Sequence, residues 1–200
     1  MIQTEQVIQE VKKMIKGKDT SICKVFAAML AGGHILIDDV PGVGKTTLAV
    51  AFSQAMQLEN HRVQFTPDVL PADILGFSMY QKETGQFVYY PGAVICNLFL
   101  ADEINRTSPK TQSALLEVME EGCVTVDGVT REMPEPFLVM ATQNPKGSAG
   151  TQLLPESQLD RFMICVSMGY PDVATEIEIA RGKSASEEQE TISPVIDAAG

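Results

Sequence analysis

The stretch LIDDVPGVGKTTLAV, residues 36–50, constrains the fold of this chain more than any other. A short apolar run, a glycine-bearing turn and the series Gly44-Lys45-Thr46-Thr47 opening a helical pattern describe a strand that passes through a turn into a helix. Such a turn aims backbone N–H groups at a helix N-terminus toward one point, which suits an anion such as a phosphate. The donors here belong to residues 42–46. Pro41, Gly42, Val43, Gly44, Lys45, Thr46 and Thr47 therefore form a candidate nucleotide-binding set, with the Lys45 ammonium on the outer phosphates and the Thr46 hydroxyl on magnesium. The general pattern, G-x-x-x-x-G-K-T/S, asks for glycine at position 39, where this chain has Asp39. Aspartate tolerates a left-handed turn, so Asp39 is expected to shape the strand exit with its carboxylate turned away from the phosphates. A strand-to-helix turn that holds no ligand is the plainer alternative.

The rest of the chain alternates between helical and extended patterns. Val7, Ile8, Val11, Met14 and Ile15 recur at helical spacing and predict a helix over 4–16, with further helices over 20–31 and 45–57. Strands are predicted over 34–37, 62–66, 97–101, 137–142 and 163–167. The last three are nearly all apolar, as strands covered on both faces should be, and the alternation implies an α/β fold with a parallel sheet. Two hairpins interrupt it. VTVDGVTR places Asp127-Gly128 between β-branched runs, the pair preferred by a two-residue type I′ turn, and SMYQKETGQFVYY carries Thr84-Gly85 in a similar setting. Between the hairpins, Ser108 and Pro109 suit the cap and first position of a helix that Gly122 ends.

NLFLADEINR sets two acids at the end of an apolar strand. Hydrolysis of a bound phosphate needs one acid for the metal and one for the water: Asp102 fits the first task and Glu103 the second. Read alone, the pair could equally be two solvated carboxylates in a turn. FLVMATQNP ends another apolar strand in Asn144, which could orient that water, although Asn-Pro is also an ordinary turn.

Composition narrows the class further. Two hundred residues, 44% hydrophobic and 20% charged, suit one globular domain or one and a half. A net charge of −11 argues against a surface that wraps a nucleic-acid backbone. The longest uncharged run, 84–101, is broken by Gln86, Pro91 and Asn97, and no charged-then-apolar leader opens the chain; a cytoplasmic protein without a membrane span is expected. Cys23, Cys96, Cys123 and Cys165 lie far apart in apolar stretches and read as buried thiols in a reducing compartment. Residues 172–200 hold seven Asp and Glu against Arg181 and Lys183, and read as a solvated helix face and tail.

In this order, DVPGVGKT, FLADEINR, KTQSALLEVMEEG, a hairpin, ATQNP and LPESQLDRF resemble the AAA+ ATPases of the MoxR type over about residues 5–171. The resemblance implies a P-loop fold with a five-stranded parallel sheet of order 5-1-4-3-2 and inserted hairpins at 74–92 and 123–134. It implies ATP or ADP and magnesium as cofactors. Lys45, Glu103, Asn144 and Arg161 would be the catalytic set, Asn144 as first sensor and Arg161 as the arginine finger that reaches a neighbouring subunit's γ-phosphate. Gly17 and Lys18 fall at the adenine-side loop. By its residue type alone, Arg161 also reads as a helix-surface arginine paired with a nearby acid, and Arg106 either acts across the interface or anchors Glu117 or Glu121 locally. Family members carry a helical lid after the sheet, so 1–171 reads as the nucleotide-binding core and 172–200 as an acidic linker or the start of that lid. The family implies a hexameric ring and a protein client, such as one with a von Willebrand A domain. The alternatives are a motor subunit of a metal-chelatase-type complex and a nucleotide-binding regulatory module with little turnover.

Overall fold

Alternate residues of the central strands face opposite ways, and helices cover both sides. The computed structural model describes residues 2–39, 44–144, 154–169 and 192–197. Its sheet contains β1 (Ile35–Asp38), β2 (Asn60–Gln64), β5 (Leu98–Asp102), β8 (Leu138–Gln143) and β9 (Ile164–Val166), in the order β2-β5-β8-β1-β9. All neighbouring pairs are parallel. Numbered as the first to fifth strands of the sheet, that order is 5-1-4-3-2 read from the other edge, as expected. Strand bounds differ from the sequence expectation by one or two residues.

One face packs Ile35, Ile37, Leu98, Leu100, Leu138 and Met140 against α1 (Ile2–Met14), α2 (Asp19–Leu30) and α3 (Lys45–Ala55). The other packs Leu36, Phe99, Ala101, Val139 and Ala141 against α4 (Pro71–Leu75) and α5 (Pro109–Glu121). Each large apolar side chain buried in these layers contributes about 1.5–3 kcal/mol. β5 and β8 are buried at every position, which explains their unbroken apolar runs. The polar strand β2 lies at one edge and β9 at the other.

Both hairpins form, β3 (Gly76–Gln81) with β4 (Gln86–Pro91) and β6 (Cys123–Val126) with β7 (Val129–Glu132). Asp127 and Gly128 have φ of 52° and 74°, the two left-handed residues of a type I′ turn. The first hairpin differs from the expected two-residue turn. Gln81 pairs with Gln86, so four residues close it, and only Gly85 among them has a positive φ. Ser108 caps α5 by accepting the Thr111 N–H at 3.3 Å, and Gly122 ends it in a left-handed conformation.

Two other expectations are corrected. Cys96 is buried, with its thiol pushed up to about 12 by burial, but Cys123 is intermediate and Cys23 and Cys165 are exposed. An apolar stretch marks an element without saying which face a residue takes. Cys23 lies off the buried Ile22, Val25 and Phe26 stripe of α2, and Cys165 sits on an edge strand. The tail residues 192–197, read as solvated, instead dock on the core: Ile192 is buried, the Val195 N–H donates to the Ala55 carbonyl at 2.8 Å, and Val195 and Ile196 pack on the apolar layer between the sheet and α1–α3. Their apolar Ile-Ser-Pro-Val-Ile pattern outweighs the acidic average of the segment. Residues 172–191 lie outside the described residues.

His34, just before β1, fixes its own protonation state. Its Nε2 lies 3.0 Å from the Met119 carbonyl and its Nδ1 accepts the Val139 N–H at 3.0 Å, so the ring is neutral with its proton on Nε2. Burial lowers its pKa below the ordinary 6.5. The unfolded chain therefore binds this proton at a higher pH than the folded one. Stability from His34 is complete above about pH 6.5 and falls as the pH drops toward the folded pKa, with a limiting slope of about 1.4 kcal/mol per pH unit. Denaturant unfolding between about pH 5 and 7.5 should show this slope, and His34→Gln should remove its share.

Candidate active site

The site forms where the C-terminal ends of β1, β5 and β8 converge. The chain leaves β1 toward one edge of the sheet and β8 toward the other, which opens a crevice between them. Beyond β1, Pro41, Gly42 and Val43 lie outside the described residues. Gly44 has φ 89° and precedes α3 as an N-cap that makes no side-chain cap hydrogen bond, and the positive end of the helix dipole opens here. Lys45 is buried, and its ammonium donates to the Asp39 carbonyl at 2.5 Å. Burial lowers the Lys45 pKa, while the charges of Asp102, Asp39, Glu103 and Asp38 oppose the shift.

β5 delivers the two acids. Asp102 is its last residue, and Glu103 turns the chain out of the strand with φ 57°. Adjacent β8 supplies Thr142, whose hydroxyl donates to Asp102 Oδ1 at 2.6 Å and accepts the Glu103 N–H at 2.8 Å. Asp102 Oδ2 accepts from Arg62 Nη2 at 2.7 Å and Nε at 3.3 Å. Glu103 Oε1 accepts from Asn144 Nδ2 at 2.9 Å, and Oε2 from Arg106 Nη1 at 2.8 Å. The Arg106 bond, with a lesser one from Asn144, holds the Glu103 carboxyl below its usual pKa, so the group is ionised at neutral pH. Buried Asn105 fixes Asn144 in turn, donating to its carbonyl at 3.2 Å and accepting its N–H at 3.4 Å. Asn144 Oδ1 is buried and has no hydrogen-bond partner among the described residues.

A cleft of about 380 Å³ is lined by Lys45, Thr46, Asp102, Glu103 and Asn144, together with Arg62. With Gly44 and Thr47, which also line it, seven residues singled out from three separate stretches of sequence thus meet in one crevice. Arg62 and Thr142 were missed, because nothing in HRV or ATQ marks a polar residue as facing an acid on the neighbouring strand. Arg106 takes neither of the local partners weighed for it. It pairs with Glu103 itself, a contact that the i, i+3 spacing allows.

Arg161 stands outside this cleft. It follows α6 (Glu156–Leu159), its Nη2 lies 2.8 Å from Glu120 Oε2, and its Nη1 donates to the Ser157 carbonyl at 2.6 Å. Within its own chain it is therefore the surface ion-pair partner that the plainer reading describes.

Gly17 has φ 71° and turns α1 into α2, and buried Lys18 donates to the Gly169 carbonyl at 2.8 Å. Ile15 lies 3.6 Å from where a Cβ on Gly44 would stand, so this loop sits beside the start of α3. Asp39 does not take the left-handed turn conformation expected of it. It is not among the described residues with positive φ, which outside glycine are Gln57, Glu103 and Asp127. Its carboxylate Oδ2 accepts the Ser167 hydroxyl at 3.1 Å and the Met168 N–H at 2.6 Å, and also the Gly169 N–H. The residue is an acceptor for the end of β9.

Comparison with known proteins agrees with this geometry. Residues 34–164 match the family model of the ATPase family associated with various cellular activities (AAA). The chain is 49% identical over 191 residues to the uncharacterized protein YeaC of Bacillus subtilis, covering 96% of this chain and 60% of that protein. It is 46% identical over 175 residues to the chaperone MoxR1 of Mycobacterium tuberculosis, covering 88% and 46%. A crystal structure of a candidate ATPase from Cytophaga hutchinsonii superposes with a TM-score of 0.88 at 40% identity, covering 99% of this chain and 60% of that one. The chain thus spans about half to three-fifths of the length of these relatives.

Proposed function

Because the chain belongs to the MoxR-type AAA+ ATPases, we propose that it carries the nucleotide-binding core of a protein that hydrolyses ATP in a ring and remodels or assembles protein complexes. Residues 1–171 are the core, and 172–200 the linker or start of a lid. The observation that carries this reading is the cleft itself: Glu103, ionised and held at 2.9 Å by Asn144, faces the same space as Lys45, Thr46 and Asp102.

In this mechanism the N-terminus of α3 and the Lys45 ammonium bind the phosphate tail. Glu103 polarises the attacking water, and Asn144 orients Glu103 and that water. A carboxylate has acceptor sites for more than two donors, so Glu103 can take a water while Asn144 and Arg106 remain in place. Arg161 of one subunit stabilises charge on the γ-phosphate of the next. The donors present suit magnesium: Asp102 and the Thr46 hydroxyl are hard oxygen ligands in one cleft. Among the described residues no cluster of three or more His, Cys, Asp or Glu could hold a metal by itself. When bound, magnesium neutralises charge on the phosphate oxygens and fixes their orientation. Arg62 would then yield its hold on Asp102 Oδ2. Gly17 and Lys18 belong to the adenine side.

A protein client is supported by the relative described as a chaperone. The β3–β4 hairpin adds support, since Phe77, Met79, Tyr80 and Phe87 are each about half exposed or more, a surface suited to contact with another protein. None of the described helices is long and apolar enough to cross a membrane.

Calorimetric titration with magnesium and ADP tests the site. One nucleotide should bind per chain, and Lys45→Ala, by removing a charge-assisted contact of about 3 kcal/mol, should weaken binding roughly 10²-fold. No binding by the wild-type chain, or equal binding by the variant, would refute the assignment.

A further inference from the structure

Asp39 occupies the position where the general loop pattern has glycine, and its polar atoms work in two directions. Its main-chain carbonyl accepts the Lys45 ammonium inside the cleft. Its carboxylate Oδ2 accepts from Ser167, Met168 and Gly169, residues nearly 130 positions away in the chain. The same segment is held from its acceptor side, where Lys18 donates to the Gly169 carbonyl at 2.8 Å and Ser21 to the Ser167 carbonyl at 3.3 Å. The end of β9 is thus gripped by Asp39 on one side and by α2 and its preceding loop on the other. Asp39 is 8% exposed and Met168 5%, so water does not readily replace the carboxylate as acceptor. Glycine here would satisfy the pattern and leave those N–H groups without this partner.

We propose that Asp39 is a positioning residue through which occupancy of the phosphate site is transmitted to the chain leaving β9, a proposal that rests on the nucleotide-binding reading above. A phosphate that draws the Lys45 ammonium takes a donor from the Asp39 carbonyl. Carbonyl and carboxylate belong to one residue, so a change in its orientation moves the acceptor that Met168 and Gly169 share. The linkage is reciprocal: a force that displaces Ser167–Gly169 alters nucleotide affinity by the same free energy.

Amide hydrogen exchange at Met168 and Gly169 reads this coupling directly. It is measured on the full 200-residue chain with and without magnesium and ADP, in the wild type, Asp39→Asn and Asp39→Ala, with ADP binding followed in the same samples. ADP should slow the two wild-type amides by at least about threefold more than those of the β6–β7 hairpin. Asp39→Ala should bind ADP and lose that slowing, while Asp39→Asn, which keeps an acceptor oxygen without the charge, should retain part of it. Slowing that persists in Asp39→Ala, or is absent from the ADP-bound wild type, overturns the proposal. If Asp39→Ala does not fold, the wild type and Asp39→Asn decide it, and equal slowing in the two overturns it. Failure of the wild type to bind ADP would instead overturn the site assignment, and the proposal with it.

Discussion

Mixing Arg161→Ala subunits with Glu103→Gln subunits, in a chain extended to the length of its relatives, should restore ATP hydrolysis that neither variant shows alone. The first variant keeps a working Glu103 and the second a working Arg161, so a mixed ring contains some complete sites at shared interfaces. Arg161 lies outside its own cleft, held by Glu120 and Ser157. To act on a neighbour it must exchange Glu120 for a phosphate, and the exchange is cheap, because Arg161 and Glu120 are both partly exposed and such pairs are worth about 0–1 kcal/mol. An arginine finger is worth about 10³–10⁵ in rate. The two magnitudes separate the readings. Loss of a surface ion pair cannot reduce turnover a thousandfold, so Arg161→Ala with that effect and nearly unchanged stability would identify a finger. If mixed rings form and stay inactive, Arg161 is either a residue of its own subunit's site or a structural partner of Glu120.

The strands that position the cleft were legible because burial on both faces leaves a trace that survives in one dimension: β5 and β8 are unbroken apolar runs that end in polar residues. The caps of α5 and the Asp127-Gly128 turn were legible because their chemistry is local. What escaped was the pairing of polar groups across the sheet. Arg62 reaches Asp102 from the neighbouring strand, Thr142 bridges Asp102 to the Glu103 backbone, and Asp39 meets Met168 across the sheet edge. None of these follows from spacing, since each depends on strand register and on which way a side chain leaves the pleat. The exposed thiol of Cys165 escaped for the same reason, and that of Cys23 because it lies off the buried stripe of α2. Asp39 is the most instructive case. Its departure from the loop pattern could be seen in the sequence, but its cause lay at the far end of the sheet's last strand.

The central claim is that this cleft hydrolyses ATP with Glu103 as the group that activates water, and Glu103→Gln tests it most directly. Glutamine keeps the shape and an oxygen that can accept from Asn144 or Arg106, but not the charge that polarises water. A positioned base contributes roughly 10²–10⁴ in rate. Phosphate release and nucleotide binding should be measured on the same preparation of the chain extended to its relatives' length. The account predicts that Glu103→Gln binds ATP within a few-fold of the wild type while turnover falls by about 10²–10⁴. Unchanged turnover in a variant that binds ATP normally would contradict it and remove Glu103 from the mechanism.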